Sequence, residues 1–307
     1  MRNTRPSDRL VPAGAVEEWV SRDGGRVRLL RGGPPHGTPV VLVHGGGSDN
    51  AAISWFQVFG ALARSHPVLA LDLPGSGYTT GVPIDGRPSA MADLAVEVIA
   101  GAGVARAVWI GVSMGGDVVL NVGLRHPGRV AGLVLVAPGG LVERFRNAAS
   151  QRAAWLAARL PDRVLLPLLR WANRFTGTAL RAMVHDPATV APEVRDEMVR
   201  EARRPGAGLG YLRYNQAVLG PRGMTNDLSG SVGAITAPAL FFHGRRDGLV
   251  PPSGSVRAAA AMPDARVVLL EDCGHWAQLE AGERFLAEVA AFLARIADDE
   301  RGARPET

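Results

Sequence analysis

The 307-residue chain has no lysine, a single cysteine and three tyrosines, and only 6% of its residues are aromatic. Without lysine there is no Walker-type phosphate loop. With Cys273 alone there is no intramolecular disulfide and no cysteine-based zinc cluster. The sequence also lacks His-Glu-x-x-His and any close histidine cluster, so no metal and no cofactor are expected. No apolar window of about 18 residues is free of charges or Gly/Pro breaks. Residues 1–18 mix Arg, Asp, Pro and Gly without the apolar stretch of a signal peptide, so a soluble, cytoplasmic protein is predicted.

What is present is ordinary globular material: 47% hydrophobic and 21% charged residues, which excludes a wholly disordered, collagen-like or coiled-coil chain. The 34 basic residues, all arginine, outnumber 29 acids for a net charge of +5. The length fits two average domains or one large α/β domain carrying an insertion.

Patterning selects the second. Apolar runs at 16–20 and 27–30, separated by Asp23-Gly24-Gly25, predict an opening hairpin. Residues 39–43, 68–71, 108–110, 133–136, 239–242 and 267–270 are short, nearly unbroken apolar runs, the signature of parallel strands covered on both faces. Helical patterns at 53–63, 90–100, 115–126, 253–261 and 280–297 alternate with them, predicting one doubly wound, mostly parallel α/β sheet. The alternation stops between about 141 and 228, where helical segments, among them 144–169 and 192–204, follow one another without a strand. This predicts a core of residues 1–140 and 229–307 with a helical cap of 141–228 inserted after a central strand. The cap is basic, with 13 arginines against seven acids between Glu143 and Arg213. Its Trp155 and Trp171 are expected in the cap core, and residues 298–307 as a frayed polar end.

The strand at 107–110 runs into Gly111-Val112-Ser113-Met114-Gly115-Gly116 and then a helix. A serine on such a turn stands proud of the sheet beside a helix N-terminus that favours a developing oxyanion, which makes Ser113 the candidate nucleophile. Its hydroxyl needs a general base and a group to orient that base. Of the histidines, His36, His66 and His126 have structural settings, while His185 in the cap and His243 at a strand end can approach a site but lack the expected loop. His275, in the loop after the last strand, has it. Asp247 follows the preceding strand on the same edge and is the expected orienting acid, with Asp272 as a solvated rival too near His275 in sequence. The order Ser113, Asp247, His275 is the hydrolase order. His44-Gly45-Gly46-Gly47 follows the first central strand; a glycine run there admits close approach of amides to a substrate oxygen, and Gly46 and Met114 are the expected oxyanion donors.

With these motifs in place the chain resembles the α/β-hydrolase superfamily, from the His44 glycine run through Asp72-Leu73-Pro74-Gly75-Ser76-Gly77, the Ser113 turn and the cap to Asp247 and His275. Val136-Ala137-Pro138-Gly139-Gly140, Cys273-Gly274-His275-Trp276-Ala277-Gln278 and the cap stretch from Asp186-Pro187 are similar to the meta-cleavage product hydrolases, which split a carbon–carbon bond in dienoic diketo acids. The resemblance implies Gly45, Gly47, Trp55 and Trp276 at the substrate. Two positions depart from that narrower family: Ile53-Ser54-Trp55 stands where an Asn follows a Trp-Ser pair, and Met198 aligns with a substrate-carboxylate arginine, for which Arg195 or Arg200 are the neighbouring substitutes.

The expected function is a serine hydrolase of an ester or related acyl bond in a small, largely apolar substrate that an arginine-rich lid lets be anionic. The alternatives are a carbon–carbon hydrolase of vinylogous diketo acids and a lyase or cyclase using the same residues without net hydrolysis. The partners expected are a small-molecule substrate, an acidic carrier protein for the basic cap, and a second copy in a homodimer. Neither nucleic acid, for want of interleaved aromatic and basic residues, nor a membrane is expected.

Overall fold

The computed structural model describes residues 9–144 and 146–302. Eight strands form one sheet in the order β1-β2-β4-β3-β5-β6-β7-β8: β1 (Ala15–Arg22), β2 (Gly25–Gly32), β3 (Val40–Val43), β4 (Val68–Leu71), β5 (Ala107–Val112), β6 (Val130–Val136), β7 (Ala239–Gly244) and β8 (Ala265–Leu270). Strands β3 to β8 are parallel; β1 and β2 make the antiparallel hairpin. Asp23 and Gly24 both take positive φ (49° and 79°), the backbone of the tight turn that matches strand twist. The central strands β3, β4, β5, β6 and β7 are buried along their whole length, which is why their sequences run apolar without alternation.

Helices α1 (Ala51–Leu62), α2 (Pro88–Gly101), α3 (Met114–Arg125), α9 (Ser253–Ala261), α10 (Ala277–Glu280) and α11 (Gly282–Gly302) cover the sheet. Val98, Val119 and Ala258 pack on one face, and Trp55, Phe59, Phe285 and Phe292 on the other, as two separate hydrophobic layers. Asn50 caps α1, its side chain accepting from the Ile53 N–H at 3.0 Å.

Between β6 and β7 lie α4 (Ala148–Ala158), α5 (Asp162–Ala172), α6 (Thr176–Met183), α7 (Pro192–Ala202) and α8 (Leu209–Val218). The excursion is closed at its base, where the Met224 N–H donates to Glu143 O at 2.8 Å and the Leu228 N–H to Gly140 O at 2.7 Å. Helix α7 is seated on the core by two buried acids: Tyr78 Oη donates to Glu197 at 2.9 Å, and the Gly77 N–H to Glu201 at 3.1 Å. Burial pushes the Glu201 carboxyl up to about 7 against the opposing Arg204.

Three expectations are corrected. The single helix predicted at 144–169 is two, because Pro161 cannot continue α4 and instead starts α5. The helix predicted at 280–297 starts earlier, as the short α10, and runs on to Gly302; residues 298–302 of the presumed polar tail are therefore helical, while 303–307, like 1–8, lie outside the described residues. Trp171 is 58% exposed rather than part of the cap core, and Trp155 is half-buried with Arg159 over its ring.

Candidate active site

Ser113 sits between the last residue of β5 and the first of α3 with φ 55° and ψ −120°, a conformation that a side chain adopts at a cost in strain. The surrounding backbone enforces it. The Ser113 N–H donates to Val136 O at 3.0 Å and its carbonyl accepts from the Gly116, Asp117 and Gly139 amides. Glycine is obligatory on the far side, since a Cβ on Gly115 would lie 2.3 Å from Val43 O and 2.5 Å from His44 O. The turn is thus pressed against the end of β3, where Gly45 faces Ser113.

The loop after β3 behaves differently at each residue. His44 is fully buried and structural: its Nδ1 meets Gly45 O at 2.7 Å and its Nε2 accepts from the Leu73 N–H at 3.0 Å. The Gly45 N–H is consumed by Asp49 Oδ2 at 2.9 Å, and Ser54 Oγ donates to the same oxygen at 2.7 Å. Burial raises the Asp49 carboxyl above its ordinary range. The Gly46 and Met114 amides have no partner among the described residues. Gly47 has φ 88° and open space around it.

Asp247 and His275 meet at the carboxyl ends of β7 and β8, His275 Nδ1 donating to Asp247 Oδ2 at 2.7 Å. Because the carboxylate only accepts, the other ring nitrogen of a neutral His275 carries the lone pair. His275 is 1% exposed, and its backbone N–H donates to Met183 O, at the end of α6, at 2.6 Å. Ser113 Oγ and His275 Nε2 share no hydrogen bond. Asp272 is a solvated turn residue paired with Arg246 at 2.8 Å.

Three contributors carry no motif. His243, at the end of β7, is fully buried; its Nε2–H reaches Asp247 Oδ2 at 3.0 Å while Nδ1 accepts from Ser255 Oγ at 2.8 Å. Asp247 Oδ1 further accepts the Leu249 and Val250 amides at 2.8 and 2.9 Å. Burial alone would raise the Asp247 carboxyl, but the bonds from His243 and His275 outweigh it and hold it well below the ordinary range. Glu280 accepts from the Gly274, His185 and Asp186 amides at 2.9, 2.6 and 3.1 Å, tying the His275 loop to the segment after α6. From α8, the Tyr211 ring packs against Gly46, 2.1 Å from where a Cβ would stand.

The other expected residues are placed as follows. Trp276 is 1% exposed beside His275. Trp55 is a core residue on α1, fully buried with its ring centroid 6.4 Å from that of Phe285. Met198 is buried, Arg200 is bound to Glu197, and Arg195 is exposed with a 3.4 Å bond to Pro187 O.

Beneath the cap, Asp117 of α3 is fully buried and accepts from Tyr214 Oη at 2.9 Å and from Asn121 and Asn226. Burial drives its carboxyl up to about 7, although all three bonds favour the ion. A folded-state pKa above the ordinary 3.8 means that the contribution to stability is complete below about pH 4 and is lost as pH rises through about 7. The loss is at most about 4 kcal/mol at 1.36 kcal/mol per unit. Urea unfolding at a series of pH values is expected to show the wild type losing stability relative to Asp117→Asn between pH 4 and 7; parallel curves would remove Asp117 as the titrating group.

A family model described as alpha/beta hydrolase fold matches residues 38–282. The chain is 32% identical over 275 residues to a dihydrolipoyllysine-residue acetyltransferase component of an acetoin cleaving system from Pseudomonas putida, covering 88% of this chain and 67% of that protein. It is 29% identical over 266 residues to a 2-hydroxymuconate semialdehyde hydrolase, also from Pseudomonas putida, covering 84% and 88%. Among solved structures, a meta-cleavage product hydrolase from Pseudomonas fluorescens IP01 superposes with a TM-score of 0.71 at 22% identity, covering 91% of this chain and 97% of that one. With strand order, Ser113 turn and family match in agreement, the chain belongs to the alpha/beta hydrolase fold family.

Proposed function

We propose that the protein is a serine hydrolase that cleaves an ester or related acyl bond of a small, largely apolar substrate bound between core and cap. Asp247 holds the His275 imidazole in one tautomer, His275 Nε2 takes the Ser113 proton, and Ser113 Oγ attacks the carbonyl carbon. The Gly46 and Met114 amides stabilise the resulting oxyanion. His275 then protonates the leaving alcohol, and a water activated by the same imidazole releases the acid from the acyl-enzyme. The observation that carries this reading is the 2.7 Å His275–Asp247 bond at the sheet edge where Ser113 is held in a strained turn.

A second reading, hydrolysis of a carbon–carbon bond in a vinylogous diketo acid, draws support from the relatives that act on 2-hydroxymuconate semialdehyde and on 2-hydroxy-6-oxo-6-(2'-aminophenyl)hexa-2,4-dienoic acid. Buried Met198 and the engaged Arg200 weigh against it, because neither offers a counter-ion to the diketo acid's carboxylate. The deciding assay is turnover of p-nitrophenyl esters of increasing acyl length beside a 2-hydroxy-6-oxodienoate, with product masses recorded. Ester cleavage is expected; cleavage of the dienoate alone would overturn the ester reading, and a product of unchanged mass would overturn both.

A further inference from the structure

Helix α5 turns the wrong face to the protein. Its Leu165, Leu166 and Leu169 are half-buried against the rest of the cap, yet Val164, Leu168 and Trp171, with Phe175 in the turn that follows, are 39%, 51%, 58% and 51% exposed. At about 100° per residue these four fall within about 60° of one another, so they form one continuous outward ridge. The Trp171 and Phe175 rings pack edge to face at 5.0 Å, which keeps the two largest apolar groups of the ridge together. Isolated exposed apolar residues are unremarkable, whereas a stripe of this kind marks a surface meant to be covered.

The charge beside the stripe selects what covers it. Arg163, Arg170 and Arg174 lie on one flank, about a quarter-turn away, and none has an ion-pair partner among the described residues. The one acid of α5, Asp162, is engaged by Arg213. Behind that flank a cavity of about 790 Å³ is lined by Arg170, Arg174, Arg203 and Arg204 together with Leu169 and Val199, and by no acid. A two-fold dimer of antiparallel α5 helices through this face would set the unpaired arginines of one copy beside those of the other, and a parallel one would set them against the apolar flank of Leu165 and Leu169, which offers no anion. An anionic bilayer supplies both complements at once: acyl chains for Leu168, Trp171 and Phe175, and phosphates for the arginines.

We propose that α5 is an interfacial helix, docking the cap on an anionic phospholipid surface with the Val164–Leu168–Trp171–Phe175 ridge entering the headgroup boundary and lipid phosphates seated against Arg163, Arg170 and Arg174. This departs from the expectation of no membrane partner, which rested on the lack of a spanning segment. Lying on a membrane needs none, and no helix among the described residues is long and apolar enough to cross one.

The test is co-sedimentation of the full chain with vesicles of phosphatidylcholine alone or with about one third phosphatidylglycerol. Binding is expected to the mixed vesicles, with quenching of Trp171 fluorescence by brominated acyl chains that Trp171→Phe removes. The exposed double substitution Leu168→Ser/Trp171→Ser is expected to lower partitioning at least tenfold. Replacing Arg163, Arg170 and Arg174 by Gln is expected to lower it roughly a hundredfold, at about fivefold per cation near an anionic surface. Turnover of a soluble ester should be unchanged in every variant, which separates failure here from failure of the hydrolase assignment. A wild type that stays in the supernatant with both vesicles overturns the proposal. So does binding that the Gln substitutions abolish and the serine substitutions leave intact, and so does a ridge whose substitution alters self-association but not lipid binding.

Discussion

Ser113→Ala is expected to lower kcat on a p-nitrophenyl ester by roughly four to six orders of magnitude while leaving KM within a few-fold. The size follows from what is lost. Without Oγ no acyl-enzyme forms, and the remaining free amides at Gly46 and Met114 can only assist direct attack by water, which leaves a residual acceleration on the order of a thousandfold over solution. The substitution is sterically mild because Cβ is kept, and the positive φ is a strain the wild type already bears, so the variant should fold. Single-turnover kinetics with mass analysis gives the check: an acylated Ser113 in the wild type, none in the variant. Undiminished ester turnover by Ser113→Ala would sink the assignment of the nucleophile.

Asp247→Asn is expected to cost about 10⁴ in kcat, again with little change in KM. Oδ2 of Asp247 accepts from two imidazoles, at 2.7 Å from His275 and 3.0 Å from His243. An amide nitrogen there must face those donors, and an amide oxygen there carries no charge to stabilise the imidazolium that forms in the transition state. With the nitrogen toward His275 the preferred tautomer is lost, and with the oxygen toward it the tautomer survives without the stabilising charge. The pH profile supplies a readout that simple misfolding would not mimic, since the rate of the variant should climb with pH as the wrong tautomer gives way to alternative bases. Asp272→Asn, which removes only an exposed partner of Arg246, serves as the control and should be silent. A loss below tenfold in Asp247→Asn would shift the orienting role to another group.

The parts of this molecule legible in its sequence are those where chemistry and backbone geometry coincide. The runs that became β3 to β7 could be read because strands buried on both faces need apolar residues at every position. The turn at Ser113 could be read because Gly111 and Gly115 stand where the backbone of the turn and the end of β3 leave no room for a Cβ. His243 escaped because its setting, the last turns of a buried strand, is that of a core residue, and only the fold brings Asp247 back over it. Tyr211 and Glu280 act through positions that have no local signature: one packs on a glycine about 165 residues away in sequence, the other gathers amides from two separate loops. Trp171 was misplaced for a related reason. The apolar arc of helix α5 is wider than the part the cap covers, and periodicity gives the width of an arc without telling how much of it finds a partner.

The two backbone bonds at the base of the cap, Met224 to Glu143 and Leu228 to Gly140, have an evolutionary meaning as well as an architectural one. They make the cap a detachable excursion: the chain leaves the sheet and returns to it through one short rung, so the conformational entropy of closing the loop changes only slowly with the length of what lies between. Sequence drift, insertion or replacement within that excursion leaves the strand ends that carry Ser113, Asp247 and His275 in place, so long as the segment at Met183–Asp186 keeps its bonds to His275 and Glu280. Selection can therefore exchange the substrate-facing half of the enzyme while inheriting the reactive half unchanged, and grafting another family member's cap at the Gly140–Leu228 rung is the laboratory equivalent of that step.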